Sequence, residues 1–146
     1  MTSASIATSQ TYICNIIYRP LQASAPAGNT ASYTFTPPIP AAGLNQGDHI
    51  HFTFSPASKE QATGKLDQAV LVAGYKDAHI STESSPFHND ANNIDIHSFP
   101  TLSLGKRPGT WGFTVLFSLV FPATETSKAS THFYFLPDPQ IIIKPD

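Results

Sequence analysis

Two histidines separated by one residue, His49 and His51, are the sharpest chemical feature of the sequence. Side chains alternate along a β-strand, so positions i and i+2 share a face and both imidazoles could ligate one metal ion. The second oxygen- and nitrogen-rich cluster is Asn89-Asp90-Ala91-Asn92-Asn93-Ile94-Asp95. Asn89, Asp90, Asn92, Asn93 and Asp95 have the chemistry of a calcium or polar-ligand loop, but not the spacing or the glycine of an EF-hand. The same residue types also build ordinary turns, because their side chains bond their own backbone. For nucleophilic catalysis the chain offers no Gly-x-Ser-x-Gly elbow and no Cys–His pairing suggested by position. His79, His88, His97 and His132 each stand alone, and the ten acids are spread thinly. The chemistry-bearing residues therefore favour binding over catalysis, and no enzyme activity and no cofactor are expected.

The spacing Gly43, Leu44–Asp48, His49, His51 resembles the opening of a cupin metal motif. A cupin continues with Glu three or four residues after the second His, where this chain has Ser55 or Pro56, and with a second motif that is missing. A cupin-like metal enzyme centred on His49 and His51 is kept as an alternative reading. The other is a pair of solvent-facing strand histidines.

The bulk of the chain sets bounds on partners. At 146 residues it is one domain by the usual size range, expected over 10–146 behind a frayed tail at 1–9. Charged residues make up 12% and the net charge is -2, so no basic stripe exists to neutralise a nucleic-acid backbone. A single cysteine, Cys14, excludes an intramolecular disulfide framework, and its apolar surroundings in Tyr12–Tyr18 make it a buried structural thiol. No signal-peptide pattern opens the sequence, and no apolar run approaches the length of a membrane helix. A cytoplasmic protein that binds neither membrane nor nucleic acid is the expectation.

The elements that must position these groups are strands. Thirteen prolines and ten phenylalanines suit short strands and turns. Thr11–Tyr18 reads as a central strand, Ser32–Thr36 as a short alternating one, and His49–Phe54 places Ile50, Phe52 and Phe54 opposite His49, His51 and Thr53. Asp67–Tyr75 is a short apolar run, and Lys76–Asn93 is a long polar loop suited to variable function. Ile94–Ile96 and Leu102–Leu104 are short strand candidates. In Trp111–Phe121 every second residue is large and apolar, from Trp111 through Phe113, Val115, Phe117 and Leu119 to Phe121, and the other face carries Gly112, Thr114 and Ser118. Thr131–Leu136 is expected to form a hairpin with it, and Gln140–Lys144 closes the chain as an edge strand. Seven to nine short strands without a long helix predict an all-β fold, an antiparallel β-sandwich with an immunoglobulin-like or jelly-roll-like look.

Three segments together resemble the AidA/PixA family of bacterial inclusion-body proteins. They are Gly47-Asp48-His49-Ile50-His51-Phe52, then Asp67-Gln68-Ala69-Val70-Leu71 with Gly74, and lastly Trp111-Gly112-Phe113-Thr114-Val115 followed by Phe133–Ile142 with its Asp138-Pro139 close. The resemblance implies a small cytoplasmic β-sandwich, often abundant in stationary-phase or quorum-regulated cells and sometimes packed into inclusions. It carries no catalytic residue with it. The expected protein is a homo-oligomer assembling through an apolar sheet face or an exposed edge such as Gln140–Lys144. The alternative is a carbohydrate-binding, lectin-like module using Asn89–Asp95 and a nearby aromatic.

Overall fold

A computed structural model describes residues 9–19, 29–57, 64–75, 87, 93–105, 108–123, 125–126, 128–136 and 139–144. Residues 1–8 of the expected tail, and most of the polar loop at 76–92, lie outside the described residues. The strands are β1 (Thr11–Tyr18), β2 (Asn29–Thr30), β3 (Ser32–Thr36), β4 (His49–Pro56), β5 (Lys65–Tyr75), β6 (Asn93–Asp95), β7 (Thr101–Ser103), β8 (Gly109–Phe121), β9 (Ser130–Leu136) and β10 (Gln140–Ile143). The fold is all-β, as the alternating apolar pattern predicts, and with the two-residue β2 the described residues hold ten strands against the expected seven to nine. No helix among the described residues is long and apolar enough to cross a membrane.

The strands make two sheets, one ordered β3-β1-β4-β7 and a larger one ordered β2-β9-β8-β5-β6, with β10 beside β8. Aromatic rings join the two. Phe52 of β4 meets Phe113 of β8 edge-on at 6.0 Å, and Phe54 of β4 meets Phe117 of β8 at 5.0 Å. Tyr18 of β1 lies 6.2 Å from Phe117 and 5.8 Å from Tyr134 of β9. The large apolar residues at alternate positions of β1, β4 and β8 thus form one shared core between the sheets, the arrangement that lets each sheet bury one face.

Most strand pairings are antiparallel, and β8 with β9 is the expected hairpin. Two pairings, β1 with β4 and β2 with β9, are parallel. Parallel neighbours need a crossover rather than a tight turn. Between β1 and β4 the chain supplies it by visiting both sheets, through β2 and then β3.

β8 is the central beam. On one side it pairs with β5 along almost its whole length, while β9 and β10 share the other side end to end. Across the β5 pairing, Ala69 faces Phe117 and Ala73 faces Phe113, so small residues make room for large rings. The register slips between Leu66 and Gln68, leaving Asp67 as an extra residue. Such a bulge resets which phase of the strand points inward. Leu66 packs against the core before the slip, and Ala69, Leu71 and Ala73 do so after it. Gln68, Val70 and Val72 consequently face out.

β10 is not an open edge. Its Ile142 carbonyl accepts a hydrogen bond from the Leu44 amide at 2.7 Å, and the Lys144 amide donates to the Leu44 carbonyl at 2.9 Å. With β8 on one flank and Leu44 on the other, the Ile142–Lys144 end of the strand has its outward carbonyl and amide taken, which blunts it for an edge-to-edge contact. The turn before β4 is fastened by Asp48, a residue only 2% exposed, whose carboxylate accepts from the Asn45 amide at 2.8 Å and the Gln10 amide at 2.9 Å. One buried carboxylate therefore aligns the start of β1 with the start of β4.

Candidate functional site

The outer face of the smaller sheet holds His49 and His51, half-buried and pointing away from the core as their alternation requires. Antiparallel pairing sets His49 opposite Ser103 and His51 opposite Thr101. Each imidazole Nδ1 is hydrogen-bonded to the hydroxyl opposite, at 2.8 Å for Ser103 and 2.6 Å for Thr101. On the other flank, Thr53 and Ser55 both donate to the Asn15 side-chain oxygen, at 2.8 and 2.9 Å. These side chains bond one another across three strands and form a polar ladder. The Nε2 atoms are left as the only imidazole positions for a metal, and no group of three or more His, Cys, Asp or Glu able to hold one occurs among the described residues. Two imidazoles alone fall short of the three protein ligands of a catalytic zinc site.

Of the polar cluster, Asn89, Asp90 and Asn92 lie outside the described residues. Asp95 ends β6 and closes a turn. Its Oδ1 accepts from the His97 amide at 3.0 Å and the Ser98 amide at 3.2 Å, and its carbonyl accepts from Phe99 at 3.0 Å. Hydrogen bonds from Ser98, then from His97, hold the Asp95 carboxyl below its ordinary value. Its Oδ1 serves the turn that follows β6. Asn93, at the start of β6, instead reaches the outer face of the larger sheet.

That face is the unexpected one. Val70 and Val72 of β5, Leu116 of β8 and Phe133 of β9 all point outward, with Leu116 49% and Phe133 68% exposed. Together with Gln68 and Asn93 they border a groove of about 450 Å³. The register puts Val70 beside Leu116, Gln68 beside Ser118, and Ser118 beside Phe133, so the groove runs obliquely across three strands from β9 towards β6. Ser118 lines it, is only 2% exposed, and its Oγ has no hydrogen-bond partner among the described residues.

The signal for this surface was present in the sequence as Val70-Leu71-Val72 and Val115-Leu116-Phe117, apolar in both phases of the alternation. A strand of that kind reads as buried on both faces. Here only one face is covered.

Cys14 is fully buried in β1, and burial pushes its thiol up to about 12. The thiolate is the reactive form. The native protein should therefore react with an aromatic disulfide reagent at pH 8 at least about a hundredfold more slowly than the denatured chain, measured as the rate of chromophore release. Equal rates would place Cys14 at the surface.

Comparison of the chain with family models, with curated proteins and with solved structures gave no match.

Proposed function

We propose that this protein is a non-enzymatic, cytoplasmic protein of the kind its likeness to AidA/PixA inclusion-body proteins implies, and that it associates with copies of itself through the outer face of its larger sheet. The observation that carries this reading is the contrast between the two outer faces of one molecule. On the smaller sheet, Asn15, His49, His51, Thr53, Ser55, Thr101 and Ser103 make a face suited to water, interrupted by Ile13 and the half-buried Ile17 of β1. On the larger sheet the outward positions include Val70, Val72, Leu116 and Phe133, flanked by the polar Gln68 and Asn93. Antiparallel sheets with one solvated face normally alternate apolar-in and polar-out. A contiguous apolar strip on the outside marks an interaction surface. A net charge of -2 adds little repulsion between copies.

Sedimentation velocity across the micromolar range tests this. The wild type is expected to shift to larger species as concentration rises. Leu116→Lys and Phe133→Lys should each hold the protein at monomer mass while leaving its thermal midpoint within a few degrees, because both side chains are exposed. A wild type that stays monomeric throughout contradicts the reading.

The carbohydrate alternative retains one supporting observation. Asn93 and the exposed ring of Phe133 border the same groove, which pairs an amide with a stacking surface. A glycan array with no binder, with or without calcium, removes it.

A further inference from the structure

We infer that the groove across β9, β8 and β5 is a binding site for a small, neutral, amphipathic molecule: an apolar ring system or short chain with one hydrogen-bonding oxygen, received by Ser118. A volume of about 450 Å³ lies within the range of ligand pockets. Its walls are the aliphatic side chains of Val70, Val72 and Leu116 and the ring of Phe133, and none of the described residues lining it is charged. An ionic ligand would lose its hydration there without gaining a counter-charge.

Ser118 specifies the polar atom. Outward positions of a strand are ordinarily solvated, yet this hydroxyl has neither solvent contact nor a partner among the described residues. A buried polar group without a partner is costly and uncommon in folded proteins. A ligand hydroxyl, carbonyl or ether oxygen placed beside it removes that cost, whereas a purely hydrocarbon ligand leaves it in place. Phe133 stands directly across from Ser118 in the β8–β9 register and is 68% exposed. Its ring and the side chain of Leu116 border the groove on either side of the hydroxyl. The amides of Gln68 and Asn93 add polar groups at the groove's border.

This inference goes beyond self-association and requires only that the face be open in a single copy. The test uses naphthalene and 2-naphthol, which share an apolar body and differ by one hydroxyl. Saturation-transfer NMR titrations would be run at a protein concentration where sedimentation shows single copies. The wild type is expected to bind 2-naphthol about three- to tenfold more tightly than naphthalene, the worth of one hydrogen bond. Ser118→Ala should bind the two equally, keep the wild-type affinity for naphthalene, and unfold at no lower temperature, because it deletes only an unpaired hydroxyl. Equal affinities in the wild type, no saturable binding of either probe, or a preference that survives in Ser118→Ala would each overturn the inference. Concentration-independent monomer mass with a Ser118-dependent preference would sink the assembly reading and leave this one standing; association without the preference would do the reverse.

Discussion

Replacing Phe117 with alanine is expected to destabilise the protein by about 3–5 kcal/mol, measured as a lower denaturant midpoint at unchanged slope. The ring is 3% exposed and touches both sheets: it stacks on Tyr134 at 5.1 Å and lies 5.0 Å from Phe54 and 6.2 Å from Tyr18. The size of the loss follows from how little the site can collapse. β8 is held by β5 on one side and β9 on the other, and the residue facing Phe117 on β5 is Ala69, too small to fill the space. The adjacent Leu116→Ala is the matched control. Its side chain is half exposed on the opposite face, and its removal should cost less than about 1 kcal/mol. A similar loss from both substitutions would mean that the two faces of β8 have been exchanged.

The second large effect is expected at Gly43, which has φ of +107°. A Cβ built there would sit 2.7 Å from the Ile142 carbonyl oxygen, the same oxygen that accepts the Leu44 amide. Gly43→Ala must therefore both adopt a backbone conformation disfavoured for L-residues and push β10 away from Leu44. Strain of about 1–2 kcal/mol and one lost hydrogen bond of about 1 kcal/mol combine to about 2–3 kcal/mol. Gly47 separates the two causes. It also has positive φ, +86°, but nothing lies within 4 Å of its built Cβ. Gly47→Ala should cost only the strain of about 1–2 kcal/mol. Hydrogen exchange at the Leu44 and Lys144 amides should quicken in Gly43→Ala and stay unchanged in Gly47→Ala. Equal stability losses would show that the approach of Ile142 to Gly43 contributes nothing.

These two glycines also show what a motif is worth without its context. The spacing from Gly43 to His49 and His51 resembles the opening of a metal motif. In the fold, Gly43 is required by the approach of β10, and the histidine Nδ1 atoms are taken by Ser103 and Thr101. Those two partners lie about fifty residues further along the chain, so no local pattern could have named them. Asp95 was legible as a polar residue but not as a turn closure, because its hydrogen bonds depend on the path of the chain after it.

Strand identity was open to a sequence reading because alternation is a local property of an extended backbone. The inward set of His49–Phe54 and the large residues of Trp111–Leu119 are where their period of two places them, and Thr11–Tyr18 is the central strand its composition suggests. All-β class follows from the same signal repeated along the chain. What the chain could not express locally is which face of a doubly apolar strand would be covered. Val70, Leu71 and Val72 differ by a methylene at most, yet Leu71 is buried and the two valines are exposed. That choice is made by the bulge at Asp67, by the register against β8 and by the sheet that lies opposite, all of which are pairings between distant segments. The parallel β1–β4 pairing and the closing of β10 by Leu44 have the same origin. The sequence by itself determined the strands and their inward residues; the tertiary structure decided which apolar residues stayed outside, because exposure depends on what else in the chain comes to cover them.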